Sequence, residues 1–318
     1  MTRHVFQPVN YYISIGSHAP VLSIAPGDTV ATTTVDGRGF DARDVQVTPP
    51  GNPMTGPFYI DGAEPGDTLL VRFDRITPSR RRGWSFKMVF PTAVEPEYVR
   101  YLPWPDENDR LATWDVDARA GTVTLSQPQD TKLGRYVLSA APMIGCFGVA
   151  PVRSQAISTR TCSDHGGNMD YRGFCQGTTV HLPVFVPGAL FHLGDGHACQ
   201  GQGEIMGTGV EISLEVEFTV DLRKGRAIRW PRGETADYIF TVGNARPLDQ
   251  AAQHATTEML RWLQEDHGLD AVGAHILLGH CAEYEMANMY NPAFTMVCKL
   301  PRSTLPALSS ASPEASPR

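Results

Sequence analysis

The clearest pattern along the chain is a period of two. Val210, Ile212, Leu214, Val216, Phe218 and Val220 alternate with Glu211, Ser213, Glu215, Glu217 and Thr219. Alternation sends successive side chains to opposite faces, so this stretch predicts a strand with one apolar and one polar side. Such a strand belongs in an antiparallel sheet with one solvated face. On that reading Glu211, Glu215 and Glu217 line a solvated face rather than a site. Residues 179–186 and 135–140 predict further strands. Apolar runs flank the tetrad Pro26-Gly27-Asp28-Thr29, and the same tetrad recurs at Pro65-Gly66-Asp67-Thr68. Proline presets φ and glycine supplies positive φ, so each tetrad predicts a tight turn leading into a strand. The match is short, and one turn used twice accounts for it better than an internal repeat.

Helices come late. Residues 256–266 carry good helix formers, and Gly268 suits the left-handed position that ends a helix. Asp270 suits the N-cap of a second helix, predicted to run to residue 288. Pro292 then stops helix, and residues 294–300 predict a final strand. Residues 303–318 are mostly Ser, Pro and Ala with little to bury, which predicts a disordered tail. Strands first and helices last give a mainly β fold of the sandwich type. Its antiparallel sheets fill residues 1–250, and a smaller α+β portion of the same domain covers 251–302.

Composition narrows the picture. A length of 318 residues allows one large domain or two ordinary ones. With 42% hydrophobic and 19% charged residues, a sizeable core is possible and wholesale disorder is excluded. The 30 glycines and 25 prolines fit a fold with many turns. A net charge of −7 and a pI near 5.8 leave no electrostatic footprint for nucleic acid or an anionic membrane. No apolar run reaches the roughly 18 residues of a membrane span. Residues 1–8 carry no apolar signal region, so the expected location is cytoplasmic, with reduced thiols. The six cysteines lack any Cys-x-x-Cys spacing, which argues against a zinc knuckle or a dithiol motif.

The chemistry concentrates in two segments, Gly166-Gly-Asn-Met-Asp170 and Gly194-Asp-Gly-His-Ala-Cys-Gln-Gly-Gln-Gly-Glu204. Asp195 and His197 are two apart, which in extended backbone puts both on one side. A carboxylate and an imidazole so placed can share a divalent metal. Asp170, Asp195 and His197 are the candidate ligands, with Glu204 as acid/base and Gln200 within reach. If the reaction is amide hydrolysis, such a site answers two needs, because an amide is a poor electrophile and neutral water a poor nucleophile. The bland alternative is a Gly-rich turn whose Asp and His make local hydrogen bonds.

Weaker candidates surround these. Cys146 and Cys199 could be thiol nucleophiles, but a buried small hydrophobe is the more common role of a free cysteine. His192 sits among apolar neighbours and reads as packed. His165 is open to either reading. His275 and His280 are five apart, so a helix does not align them. Arg80, Arg81 and Arg82 read as a solvated loop. Gly201-Gln-Gly-Glu204 is only a fragment of a phosphate loop.

Taken together, these stretches resemble the acetamidase/formamidase family. Asn52-Pro-Met-Thr-Gly-Pro57, Gly62-Ala-Glu-Pro-Gly-Asp67, Ile144-Gly-Cys-Phe-Gly-Val-Ala-Pro151 and Leu182-Pro-Val-Phe-Val-Pro-Gly-Ala-Leu190 carry the resemblance along with the two polar segments. It runs from about residue 21 to residue 300. It implies a β-sandwich-type fold, hydrolysis of short aliphatic amides to ammonia and a carboxylate, a metal near the Asp-Gly-His stretch, and a homo-oligomer. Carried over, it favours Asp195 and His197 as ligands with Asp170 beside them. An imidazole in the shell suits zinc better than calcium. Some family members use a histidine near the N-terminus. The stretch Asn10–His18 departs from that pattern, so neither His4 nor His18 is carried over. Two other readings stand beside the linear-amide hydrolase. One is a non-catalytic sandwich that binds small amides or a partner; the other is a lactam hydrolase on the same scaffold.

Overall fold

The computed structural model of the protein describes residues 1–128 and 131–305. Two sheets pack face to face. The larger has nine strands, in the spatial order Arg3–Val5, Thr29–Thr33, Leu214–Arg223, Thr68–Pro78, Thr179–Pro183, Arg232–Glu234, Tyr238–Ala245, Phe294–Pro301 and Glu283–Asn288. All neighbours in it are antiparallel except the first pair. The second sheet has six strands: Cys162–Ser163, Gly166–Asn168, Met143–Gly148, Phe191–His197, Met54–Ile60 and Leu22–Ile24. Phe58, Phe147 and Phe191 rise from this sheet, and Phe73 and Phe218 from the larger one. Their rings meet edge to face, Phe58 and Phe191 on Phe218 at 5.3 and 5.4 Å and Phe73 on Phe147 at 5.3 Å. This is the geometry that aromatic quadrupoles favour. The fold is therefore mainly β, as the alternation predicts.

Helix α1 (Leu248–Glu265) lies on the outer face of the larger sheet. In the strand Tyr238–Ala245, Phe240 and Val242 point into the sandwich, while Ile239 joins Ala255, Met259, Trp262 and Leu263 beneath the helix. A Cβ on Gly243 would lie 2.0 Å from the Ala251 carbonyl, so only glycine lets helix and sheet approach this closely. Arg232 and Glu258, both buried, form an ion pair of 2.8 Å between sheet and helix. No helix among the described residues is long and apolar enough to cross a membrane.

Several predicted boundaries move. Helix α1 starts at Leu248 rather than 256, because Ala251 and Ala255 extend the apolar stripe of Met259 and Trp262 backwards, and Pro247 sets its start. Helix α2 (Ala271–Cys281) is capped by Asp270, whose Oδ1 accepts the Gly273 N–H at 2.6 Å. It ends before residue 288, because Glu283–Asn288 pairs with the last strand instead. Pairing along a sheet edge overrides the helix-forming composition of that segment. The strands predicted at 135–140 and 179–186 are shorter, Val137–Ser139 and Thr179–Pro183. Arg80 is not in a solvated loop. It is 5% exposed and paired with Asp36, while Arg82 opens the strand Arg82–Phe86. Ser303 and Thr304 form a 3-10 turn with Arg302; the rest of the predicted tail, from 306, lies outside the described residues.

Candidate metal centre

The site forms along one edge of the strand Phe191–His197. Ile144 pairs with Gly196 and Cys146 with Gly194, so Asp195 stands opposite Gly145. A Cβ on Gly145 would lie 2.5 Å from Asp170 Oδ1 and 2.7 Å from Asp195 Oδ2. Glycine at 145 is what lets these two carboxylates converge. Asp195, Asp170 and Glu204 all have left-handed backbone, with φ of 59°, 46° and 43°. Strained backbone at adjoining polar side chains is a mark of functional sites.

Each side chain is then aimed by a second set of contacts. Asp170 Oδ2 accepts N–H bonds from Asn288 at 2.9 Å and Asn291 at 2.8 Å, and its Oδ1 has no partner. The same Asn288 amide donates to Glu204 Oε2. Asn288 is itself held by its Oδ1, which accepts the backbone N–H groups of Tyr290 and Asn291. His197 donates from Nδ1 to Gln200 Oε1 at 2.7 Å, and Gln200 donates to the Asp170 carbonyl at 2.6 Å. An amide oxygen can only accept, so Nδ1 carries the proton and Nε2 is turned into the site. There Nε2 lies 2.8 Å from Glu211 Oε1 and 3.5 Å from Asp195 Oδ1.

Glu211 corrects the sequence reading. It was expected on a solvated strand face, yet it is 3% exposed. The regular ladder of its strand begins only at Leu214, and residues 210–213 are buried on both faces. Glu211 instead bridges the backbones of Trp84 and His197, which brings its carboxylate to the imidazole. The only local signal was the turn Gly207-Thr208-Gly209 just before it. Asn288 and Asn291 were missed as well. Their signal was a turn-rich run, Asn288-Met-Tyr-Asn-Pro292, ahead of the last strand.

Four carboxylates and one imidazole thus share a buried spot. Burial, then repulsion from Asp195, raises the Asp170 carboxyl well above its usual range. Burial, then Asp170, does the same to Glu204. Burial raises Glu211 to about 7. Burial opposes the charge on Asp195 too, but His197 beside it holds that carboxyl below its usual value. Burial would lower His197, yet Glu211 and Asp195 together push it well above. Like charges this close cannot all ionise without a compensating cation.

The donor set fits one. Ligand atoms of Asp170, Asp195 and His197 lie within 4.8 Å of one another, and so do those of His197, Glu204 and Glu211. Asp170 Oδ1 and Glu211 Oε2 are buried without hydrogen-bond partners, and His197 Nε2 faces only carboxylates. Orphaned carboxylate oxygens are expensive unless something positive faces them. The five residues singled out from the sequence, Asp170, Asp195, His197, Gln200 and Glu204, are therefore brought together. Others stay apart. His192 and His165 are buried elsewhere in the sandwich, and His275 and His280 lie on helix α2. The Cys146 and Cys199 thiols border the site but are buried; burial, then Asp195 and Asp170, raises Cys146, and burial raises Cys199 to about 11, which disfavours the thiolate.

The chain is similar to known proteins over most of its length. The acetamidase/formamidase family model matches residues 18–155 and 139–279. An acetamidase from Mycolicibacterium smegmatis is 28% identical, over 65% of this chain and 62% of that protein. A formamidase from Methylophilus methylotrophus is 26% identical, over 64% and 61%. The chain thus spans less than two thirds of the length of these curated relatives. The crystal structure of an acetamidase from Yersinia enterocolitica superposes with a TM-score of 0.80 at 30% identity, covering 96% of this chain and 93% of that one. With the family model matched over most of its length, this chain belongs to the acetamidase/formamidase family.

Proposed function

We propose that the chain is an amidohydrolase that cleaves the C–N bond of short aliphatic carboxamides such as formamide and acetamide. Water is consumed, and ammonia and a carboxylate leave. The observation that carries this reading is the convergence of Asp170, Asp195, His197, Glu204 and Glu211 on one buried spot with two orphaned carboxylate oxygens.

In this reading Asp170, Asp195 and His197 hold a divalent cation, and Glu211 faces the same imidazole nitrogen. The imidazole favours zinc over calcium. Such a cation supplies a lowered pKa for water and a polarised substrate carbonyl. Glu204 moves the proton. It takes one from the attacking water and gives it to the amide nitrogen, so the leaving group departs as ammonia. Burial, then Asp170, raises the Glu204 carboxyl well above its usual range, so it holds a proton more firmly than an exposed glutamate does. Asn288 keeps its carboxyl pointed at the site. Gln200 acts as a positioning residue, since its contacts run to His197 Nδ1 and the Asp170 backbone.

The test is bound metal measured together with ammonia release, on wild type and on Asp195→Asn and His197→Ala. Both quantities falling together supports the reading. Ammonia release without bound metal would remove the metal mechanism and keep the amidase. Bound metal with no turnover across a panel of amides would favour a binding protein instead.

A further inference from the structure

We propose that a cavity between the larger sheet and the end of helix α1 binds a zwitterionic α-amino acid with a short aliphatic side chain, at a site separate from the candidate metal centre. The cavity measures about 260 Å³. That is just below the ~300 Å³ at which drug-sized ligand pockets begin, so its occupant is small. The sheet side supplies the cations: Arg223, Arg226 and Arg232, from the end of the strand Leu214–Arg223 to the start of the strand Arg232–Glu234. The helix side supplies the anions, Glu265 and Asp266, at the C-terminal end of α1. His181, on the strand Thr179–Pro183, completes the polar lining.

The ion pairs already present leave atoms over on both sides. Arg232 is 2% exposed. Its Nε donates to Glu258 at 2.8 Å and one Nη to Glu265 at 3.2 Å, but the other Nη comes only to 4.0 Å from Asp266, beyond a hydrogen bond. Arg223 donates to Asp266 Oδ2 at 2.9 Å, and among the described residues Asp266 Oδ1 and Glu265 Oε1 accept nothing. Arg226 pairs with no carboxylate among the described residues, yet its loop is pinned. The Thr68 hydroxyl donates to its carbonyl, and the Gly225 N–H donates to Asp67 Oδ1 at 2.8 Å. His181 is 1% exposed and meets Glu234 Oε1 through Nε2 at 3.0 Å. A carboxylate can only accept, so Nε2 carries the proton and Nδ1 is a bare acceptor. Burial lowers the pKa of this imidazole, which keeps it neutral. Neither His181 Nδ1 nor the spare Nη of Arg232 is one of the sealed partnerless atoms of the interior, so both keep surface toward the cavity.

A free amino acid matches these spare atoms at both ends. Its carboxylate takes Arg226 and the spare Nη of Arg232. Its ammonium takes Glu265, Asp266 and His181 Nδ1, and the negative end of the helix dipole favours it there. Ile228 lines the cavity as well and gives a short aliphatic side chain something to cover. A plain anion would face two carboxylates and a helix C-terminus, and a plain cation three guanidinium groups. No lining residue belongs to the candidate metal centre.

The competing account is that these charges only fasten helix to sheet. Arg226 separates the two, because it fastens nothing to the helix. The measurement is calorimetric titration of the full chain with L-valine. The controls are N-acetyl-L-valine, which lacks the ammonium, and isobutylamine, which lacks the carboxylate. We expect saturable valine binding, and affinity at least about tenfold lower for each control. Arg226→Ala and Glu265→Gln should each weaken valine binding about tenfold or more, while unligated Arg226→Ala unfolds at the wild-type midpoint. Asp195→Asn should bind valine as wild type does. No valine binding by wild type up to about 50 mM overturns the inference. So does N-acetyl-L-valine binding as tightly as valine, which would make this a plain anion site. Valine binding unchanged in both Arg226→Ala and Glu265→Gln overturns it as well. Binding lost in Asp195→Asn also overturns it, because valine would then be held at the metal centre.

Discussion

Gly37 and Gly145 show how much of this site is made of missing side chains. A methyl group at 145 would collide with two carboxylates, whereas one at 37 would stand in ordinary contact with Asn52 and Asp195 and crowd Glu211. Gly37→Ala should therefore fold normally and press on the Glu211 carboxylate. We expect ammonia release to fall about tenfold or more with a change of less than about 0.5 kcal/mol in unfolding free energy, read by turnover and urea titration. Gln200→Leu acts differently, through the orientation of His197. It should weaken metal binding by roughly 10- to 100-fold, as chelator competition would report. At this scale the sequence was partly legible. Asp195 and His197 announce themselves by a two-residue spacing in a Gly-rich segment, and Asp170 by another. Glu211 hid inside an alternating pattern, because alternation tells which side a residue points to and not what covers that side.

The elements explain why the reading of boundaries was less secure than the reading of type. Strand alternation over 214–220 is strong and local, and it correctly places an inner strand of the larger sheet. The segment 283–288 has helix-forming composition and becomes a strand only because the edge of Phe294–Pro301 is there to receive it. Such a tertiary cause leaves no local trace. The junction of sheet and helix α1 rests on Arg232, which lies 5.3 Å from the centre of the Trp262 ring and pairs with the buried Glu258. Arg232→Leu leaves the buried Glu258 carboxylate with only Arg261, 3.3 Å away, as a partner. The variant should lose about 1–3 kcal/mol of stability in chemical denaturation, and Arg232→Leu with Glu258→Leu should recover much of it.

The whole molecule carries a pH dependence separate from the candidate metal centre. His165 and His192 are fully buried, and burial depresses their imidazoles to about 4 and about 3. In the unfolded chain both take up protons near pH 6.5. The unfolded state therefore binds more protons below 6.5, and stability is retained above that pH and lost as pH falls toward 4. Each histidine contributes about 1.4 kcal/mol per pH unit over this window. His165→Leu removes one of the two. Its stability relative to wild type should rise by about 2 kcal/mol between pH 7 and pH 5, measured by urea titration at both. An unchanged difference would mean that His165 titrates normally in the fold.

Asp170 is clamped by Asn288 and Asn291, more than a hundred residues further along the chain. During synthesis the N-terminal strands, the glycine turns and even Asp195 and His197 leave the ribosome well before that clamp exists. If these side chains hold a cation as proposed, a nascent chain can present them but cannot aim them until residue 291 has emerged and the last strand has docked. Cation capture would then mark the end of folding rather than its beginning, and a cell short of the metal would accumulate folded, empty protein instead of misfolded chains.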